Sequence, residues 1–285
     1  MITACDLAAR FGLKRTGRDW RGTCPACGYG GGAFVLSADS TGRPLAWCAS
    51  CQDRDAIARA IGGDILARMA PGDIERAASE RARQRDKAIA LWHCSVPAIG
   101  TLADAYLIKR GLAGLAASIA LRFRADTSHP HGGQYPALIA LVSDVHGQPI
   151  AVHRTFLRQD GEKANVEPAK ASLGPVWNGA IQLQPIEAGK PLVIGEGIES
   201  AASAGHLMGF PAWAAISAGN MANGLVLPPV ARSVVIAADP DEPGRKAARD
   251  AWTRWRAEGR LVRIATPNGS ADFNDVLRMR EAEHA

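Results

Sequence analysis

The stretch "SVVIAADPDEPGRKAARDA", from Ser233 to Ala251, joins a short apolar run to a group of acidic residues. Val234–Ala238 have the composition of a buried strand, and Asp239, Asp241 and Glu242 follow within four positions. Like charges this close repel one another unless a cation or a helix N-terminus compensates them. The stretch therefore predicts a strand that carries a charged site at its carboxyl end.

The sequence on both sides of this stretch alternates between strand and helix patterns from residue 190 onward. The predicted strands are "PLVIG", "PAWAAI", "SVVIAA" and "LVRIAT", and the helices between them are "EGIESAASAGHLMG", "NMANGLVL" and "EPGRKAARDAWTRWRAEG". This alternation predicts a parallel sheet with right-handed crossovers, whose functional groups lie at the carboxyl ends of the strands.

Acidic residues follow three of the four predicted strands. Glu196 follows the first strand, Asp239 and Asp241 the third, and Asp272 lies beyond the fourth. Each acid alone has another interpretation: Glu196 as a helix N-terminal acid, and the Asp-x-Asp pair as a turn. Because parallel strand ends meet at one edge, we expect the four carboxylates to lie close together, where they suit Mg²⁺ or Mn²⁺. Glu242 is expected to be a helix N-terminal acid.

Four of the six cysteines form two C-x2-C pairs separated by 20 residues, which are Cys24, Cys27, Cys48 and Cys51. Two such pairs close a tetrahedral, structural Zn²⁺ site, and the segment between them has the pattern of a hairpin. We therefore predict a zinc ribbon; the alternative is four unligated thiols with accidental spacing. Cys5 and Cys94 have no partner at ligand spacing and are expected to be ordinary thiols.

Between the cysteines and the alternating region lies a segment of mixed helix and strand patterns. "IERAASERARQRDKAIALWHCSV" predicts a long helix and "LADAYLIKRGL" a short one, while "YPALIALVSD" and "PIAVHRTFLR" predict paired strands. The fold class is thus α/β and α+β multidomain. The expected divisions are a zinc ribbon over 1–70, a helical linker over 71–95, a basic α+β subdomain over 96–188, and a parallel-sheet domain over 189–285.

The net charge of +5 is unevenly distributed, with Arg and Lys concentrated in the first two-thirds of the chain. This predicts a polyanion-binding surface, although solvated helix faces rich in Arg give the same pattern over 76–87. On the ribbon, aromatic residues such as Trp47 beside arginines suit stacking on unpaired bases, or else a small core.

No apolar segment is long enough for a membrane span, and Asp6 and Arg10 interrupt the N-terminus where a signal peptide would be apolar. We expect a cytoplasmic protein with no membrane partner.

The acidic motifs resemble those of a known domain. "VIGEGIESAASA", "VVIAADPDEPGRKAA" and "ADFNDVL" are similar to the Toprim domain of bacterial-type primases, type IA and II topoisomerases, OLD-family nucleases and RecR proteins. Glu196 matches the lone glutamate of that domain, and Asp239 with Asp241 its Asp-x-Asp pair. The third motif departs from the Asp-Pro-Asp of many primases, since Asp272-Phe273-Asn274 resembles the Asp-x-Asn form of phage helicase-primases.

The resemblance continues upstream. "DAYLIKRGL" and the paired strands resemble the basic subdomain of primase polymerase cores, and "EPAKASLGPVWNGAIQL" a segment of primase-like proteins of plasmids and mobile elements. The order of zinc ribbon, basic subdomain and Toprim domain is that of bacterial and phage primases.

A primase resemblance implies a DNA-directed, RNA-polymerase-type nucleotidyltransferase that makes primers for DNA replication. It implies two divalent ions held by Asp239, Asp241 and Asp272, with Glu196 as general base or metal-positioning group. The implied partners are single-stranded DNA template, NTPs or dNTPs, and a separate replicative helicase within a primosome, because no G-x-x-x-x-G-K-[ST] motif occurs. The residues expected to contact nucleic acid or nucleotide are Arg110, Arg154, Lys163, Lys170, Arg245, Lys246 and Trp47.

Two other classes fit the same acids. An OLD-type nuclease would use them to activate water, although its usual ATPase motif is missing from this sequence. A non-catalytic DNA-binding accessory protein of the RecR kind would retain only the fold. A type IA topoisomerase would require a further large domain bearing a nucleophilic tyrosine, for which the chain is too short.

Overall fold

The structure is a computed structural model that describes residues 2–26, 32–39, 42–48, 54–62, 71–267 and 271–284. The chain divides into two compact units, Met1–Glu80 and Arg81–Ala285. The architecture is mixed α/β and multidomain, as predicted. Among the helices that the structure describes, none combines the length and apolar character needed to cross a membrane.

The first unit contains a four-stranded antiparallel sheet in the order β1-β2-β3-β4. The predicted hairpin is confirmed, since β3 pairs with β4 from Phe34 opposite Cys48 to Ala38 opposite Pro44. Helix α1 begins with a capping box between Thr3 and Asp6. The elements are α1 (Ala4–Arg10), β1 (Lys14–Thr16), β2 (Asp19–Gly22), β3 (Phe34–Ala38), β4 (Pro44–Cys48) and α2 (Arg54–Ile61).

The predicted zinc ligands fall partly within this unit. Cys24 and Cys48 are buried, Cys48 at the end of β4. Cys27 and Cys51 lie outside the described residues. The zinc ribbon, and its structural Zn²⁺, therefore stay a prediction.

The second unit begins with an antiparallel sheet in the order β5-β6-β7-β8-β9. The expected strand-turn-strand is confirmed in β7 and β8, where Asp144 Oδ1 accepts from the backbone N–H groups of His146 and Gln148. The long predicted helix is α3, whose residues after Glu80 belong to this unit. The elements are α3 (Pro71–His93), β5 (Val96–Pro97), α4 (Leu102–Lys109), β6 (Leu121–Ser128), β7 (Gln134–Ser143), β8 (Pro149–Phe156) and β9 (Lys170–Leu173), with a 3-10 turn at Leu115–Ala117.

The second sheet of this unit has the order β10-β12-β11-β13-β14. The four strands predicted from the sequence are confirmed and pair in parallel, whereas β10 adds an antiparallel edge that was not predicted. The elements are β10 (Ile181–Gln182), β11 (Leu192–Gly195), α5 (Ile198–Met208), β12 (Ala212–Ala214), β13 (Ser233–Ala237), α6 (Glu242–Ala257), β14 (Leu261–Ala265) and α7 (Phe273–His284).

The helix predicted from "NMANGLVL" is wrong in length and type. Of the eight residues in this segment, Asn220–Gly224 are helical, and they form one π-helical turn. The buried Asn220 side chain donates to the carbonyls of Gly179 and Ala215, both at 2.8 Å, and accepts from Asn178 N at 3.0 Å. These tertiary hydrogen bonds determine the local backbone in place of α-helix propensity.

One hydrophobic core joins the two sheets of the second unit. Leu138 and Val142 of β7 are buried in the same cluster as Val193 of β11, Ala201 of α5 and Phe273 of α7. A further cluster lies beneath α6, around the fully buried Trp255. The basic subdomain and the parallel-sheet domain predicted from the sequence therefore share apolar contacts across residue 188.

Candidate active site at the carboxyl edge of the parallel sheet

The site begins where β11 and β13 end side by side. The two strands are parallel neighbours, with Gly195 in register with Ala237, so Glu196 and Asp239 leave the sheet at the same edge. Helix α5 returns directly over this edge, and a Cβ on Gly195 would lie 2.8 Å from Ala201 N. A glycine is required there for the helix to approach the strand this closely.

Burial and mutual repulsion make these two acids hard to ionise. Burial, together with the negative charges of Asp239 and Asp241, raises the pKa of Glu196 to about 7. Burial, with Asp272 and Asp241 nearby, also raises the pKa of Asp239, despite a hydrogen bond from Ser200. The arrangement therefore concentrates negative charge that a cation would relieve.

Asp241 and Asp272 each cap a helix at this edge. Asp241 Oδ1 accepts from Gly244 N at 2.8 Å at the start of α6, and Asp272 Oδ1 accepts from Asp275 N at 2.8 Å at the start of α7. A Cβ on Gly244 would lie 2.8 Å from Asp241 Oδ1 and 3.0 Å from Asp239 Cβ, so the turn requires glycine. As predicted, Glu242 lies in the first turn of α6.

The chemistry of the acids fits a hard divalent cation. Asp239 Oδ1 is buried and accepts no hydrogen bond within the described part of the chain, which leaves a carboxylate oxygen for another ligand. Oxygen donors of this kind are those that Mg²⁺ and Mn²⁺ prefer. Among the described residues, however, no three His, Cys, Asp or Glu side chains are already gathered around a single point. The carboxylates would have to converge on an incoming ion.

A strained residue supports Glu196 from the neighbouring strand. Ile216, just past β12, has a φ of 76°, which is costly for a β-branched side chain. Its backbone N–H donates to the Glu196 carbonyl at 2.8 Å, and the Ala218 N–H donates to the Glu196 carboxylate, which partly offsets the rise in its pKa. The backbone N–H groups of Ile216 and Ala218 thus both donate to Glu196.

Sequence reasoning missed a buried cluster of charges beside these acids. Glu199, 8% exposed on α5, accepts from the Tyr106 hydroxyl at Oε1 and from Lys170 Nζ at Oε2, the latter at 2.9 Å. Lys163 Nζ lies 3.3 Å from Oε1. Burial would raise the pKa of Glu199, but Lys170, Lys163 and the Tyr106 hydroxyl hold it well below its usual range. The only indication of Glu199 in the sequence is its position three residues after Glu196.

The predicted basic residues separate into two groups. Lys163 and Lys170 meet at Glu199, and the Arg110 guanidinium lies over the Tyr106 ring at 5.4 Å. Arg154 is buried, and its guanidinium donates to three carbonyls, those of Ser128, Ala171 and Ser172. Its position does not support the expected nucleic-acid contact, because its hydrogen-bonding groups are directed into the protein.

The remaining predicted residues are exposed. Arg245 and Lys246 lie on the first turns of α6, and Lys246 pairs with Asp250 at 2.6 Å. Trp47 in the first unit is 50% exposed on β4.

Asn274 of the third motif is buried and donates to the Arg110 carbonyl at 2.6 Å and to Ser203 Oγ at 3.0 Å. Asn274 thus joins α7 to α4 and α5 and does not face the acids through that amide nitrogen.

Two family models match the second unit. Residues 191–283 match the model described as the Toprim domain. The C-terminal region is a Toprim domain. Residues 82–183, which precede it, match a domain of unknown function, DUF7146. The expectation of a Toprim domain, drawn from the three acidic motifs, is thereby confirmed for this region. The four acids at the sheet edge lie within it, and their assignment as its site residues stays a prediction.

The solved structures that are similar to the chain include three primases of low sequence identity. The zinc-binding and RNA polymerase domains of the Aquifex aeolicus primase have 15% identity and a TM-score of 0.48, covering 99% of this chain and 81% of that one. The primase fragment of the bacteriophage T7 primase-helicase has 16% identity and a TM-score of 0.42, covering 93% and 99%. The RNA polymerase domain of the Mycobacterium tuberculosis primase has 16% identity and a TM-score of 0.46, and the match covers 70% of this chain and 80% of that one. Among curated proteins, none matches this chain.

Proposed function

We propose that this protein is a DNA primase that synthesises short primers on single-stranded DNA by metal-dependent nucleotidyl transfer. The observation that carries the proposal is the juxtaposition, at one edge of a Toprim domain, of repelling carboxylates and the half-buried lysines Lys163 and Lys170. The positive charge of Lys170 acts on both Glu196 and Asp239, although Lys170 belongs to the preceding basic block. Acids for cations and lysines for phosphates are the two requirements of phosphoryl transfer from a nucleotide.

Asp239, Asp241 and Asp272 are the residues proposed to hold Mg²⁺ or Mn²⁺, with Glu196 beside them. Such ions, when bound, neutralise charge on the nucleotide's phosphates. The Glu196 carboxylate leaves the sheet at the same edge as Asp239, where it would accept the proton of an attacking 3′-hydroxyl. Glu196 is therefore our choice for the general base.

Basic and aromatic residues would supply the binding of nucleotide and template. Lys163 and Lys170, with Arg110 nearby, would neutralise nucleotide phosphates, while Arg245 and Lys246 extend the positive charge along α6. Trp47 would stack on an unpaired template base. The partners would be single-stranded DNA, NTPs or dNTPs and a separate helicase, and the four cysteines Cys24, Cys27, Cys48 and Cys51 would hold structural Zn²⁺.

The test is primer synthesis on a single-stranded template with nucleotides and Mg²⁺ or Mn²⁺. We expect labelled oligonucleotides from the wild type and a loss of at least ~100-fold in Asp239→Asn, because the charge of the proposed metal ligand is removed. Asp126→Asn makes the same change in an exposed residue that pairs with Arg124, and should retain full activity.

Other outcomes of the same assay distinguish the rival functions. A shortened template, dependent on Asp239, would contradict the primase proposal and identify a Toprim nuclease. A shift in template mobility, with neither synthesis nor cleavage, would identify a DNA-binding accessory protein.

A further inference from the structure

Glu199 holds its neighbours from both of its carboxylate oxygens. Oε2 accepts from Lys170 at 2.9 Å, while Oε1 accepts from Tyr106 and lies 3.3 Å from Lys163. Because both oxygens are engaged and the side chain is buried, Glu199 has little freedom to rotate or follow a moving lysine.

Lys170 lies close both to Glu199 and to the loop that carries Glu196. A Cβ added to Gly197, the residue after Glu196, would lie 3.6 Å from Glu199 Oε2 and 4.0 Å from Lys170 Nζ. The ammonium is thus beside the backbone of the Glu196 loop, and its charge opposes the rise in the pKa of both Glu196 and Asp239. Its attraction to Glu199 outweighs burial and raises the pKa of Lys170, so it stays charged.

A charged amine at this point competes with a metal ion. Lysine has a flexible four-carbon stem and a compact charge, so without Glu199 its nearest uncompensated partners would be the acids of the sheet edge. Asp239 Oδ1, which is buried and accepts no hydrogen bond within the described residues, is open to such an amine as well as to a cation.

We propose that Glu199 is a positioning residue that keeps the Lys170 ammonium out of the divalent-cation site formed by Glu196 and Asp239. The inference rests on the metal site of the proposed function. Glu199 lies outside that site and would affect its metal affinity only through Lys170.

The experiment measures Mn²⁺ binding directly, by electron paramagnetic resonance of free Mn²⁺ in titrations of the full chain. We expect Glu199→Gln to weaken Mn²⁺ binding by at least ~10-fold, the scale on which groups outside the ligand shell affect metal affinity. The double variant Glu199→Gln/Lys170→Gln should recover wild-type affinity or better, because the competing amine is gone. Removing both partners of a buried ion pair can also reverse a purely structural defect, so circular dichroism of each variant must show the wild-type fold alongside the titration.

Two controls are needed. One locates the bound Mn²⁺, and the other tests whether removing any glutamate charge changes Mn²⁺ affinity. Asp239→Asn should abolish the measured binding, which establishes that the Mn²⁺ is at the sheet edge. Glu187→Gln removes a surface glutamate that pairs with Lys190 at 2.6 Å, and should bind Mn²⁺ as the wild type does.

Several results would overturn the inference. Wild-type affinity in Glu199→Gln would do so, as would a double variant as weak as the single one. If Glu199→Gln does not fold, the double variant is compared with Lys170→Gln: the two should agree within ~2-fold, and a ~10-fold difference would show that Glu199 acts without Lys170.

The outcomes for the two proposals are separable. A wild type that binds Mn²⁺ through Asp239 and makes no primers contradicts the primase proposal but leaves this inference standing. Primer synthesis with no coupling between Glu199 and Lys170 in Mn²⁺ binding supports the primase proposal and contradicts this inference. A wild type without Asp239-dependent Mn²⁺ binding removes the metal site on which both depend.

Discussion

Glu196 illustrates how a single residue can be destabilising in the fold and useful in the site. Its carboxylate is partly buried next to two aspartates, so in the absence of a cation its ionised form is disfavoured. A folded-state pKa of about 7, above the 4.5 that is usual for a glutamate, means that the folded protein binds a proton more tightly than the unfolded chain. The stability that this proton confers is lost as the pH rises from about 4.5 through 7.

Replacing Glu196 with Gln should therefore stabilise the metal-free protein at alkaline pH. We expect the free energy of unfolding of Glu196→Gln to exceed that of the wild type by an amount that grows between pH 5 and 8 toward roughly 3 kcal/mol. Urea unfolding without divalent cations, followed by circular dichroism, measures the difference. Glu187→Gln should show no such trend, and a constant difference between Glu196→Gln and wild type across this range would contradict the assignment.

Among the elements, the π-helical turn at Asn220–Gly224 depends most on one side chain. Asn220 is fully buried and connects three backbone groups, at Asn178, Gly179 and Ala215. Ala215 precedes the strained Ile216, whose N–H donates to the Glu196 carbonyl. The hydrogen bond from Asn220 to the Ala215 carbonyl therefore helps to position the backbone at Glu196.

Asn220→Ala should lower the free energy of unfolding by about 3 kcal/mol, because buried carbonyl groups lose their hydrogen-bond donor. Asn223→Ala, an exposed asparagine in the same turn, serves as the matched control and should change stability by less than ~0.5 kcal/mol. Thermal unfolding of the two variants measures both; a change of less than ~0.5 kcal/mol in Asn220→Ala as well would contradict the role of the tertiary hydrogen bonds in this turn.

The elements also show what could be predicted from sequence. The strands around Glu196 and Asp239 were predictable because apolar runs followed by acids are local patterns. The turn at Asn220 was not, since its hydrogen-bond partners at Gly179 and Ala215 come from another segment and a strand end. Glu199 was missed for the same reason: its partners Tyr106 and Lys170 lie 93 and 29 residues away in the chain. Polar contacts between residues far apart in the chain produce no periodic pattern in the sequence, so they cannot be predicted from it.

On the scale of the whole molecule, the net charge of +5 and the exposed Trp47 predict two separable contributions to binding DNA. Cationic side chains release counterions from phosphates, which makes affinity depend on salt, whereas stacking does not.

Trp47→Ala should weaken binding to an oligo-dT by roughly 10-fold, since stacking on a base contributes ~1–3 kcal/mol. The slope of log affinity against log salt should stay unchanged, because no phosphate contact is lost. Fluorescence anisotropy at several salt concentrations measures both quantities. Ile119→Ala, which removes another exposed apolar side chain, should bind as the wild type does; equal affinity of Trp47→Ala and wild type would exclude a stacking role.

The core that joins the two sheets of the second unit has a consequence for synthesis on the ribosome. Leu138 and Val142 emerge long before Val193, Ala201 and Phe273, against which they become buried. Until the last of these has been made, the antiparallel sheet exposes an apolar face to solvent or to a chaperone. Contacts between such distant parts of the chain also slow folding. We therefore expect truncated chains that end before α7 to aggregate during translation.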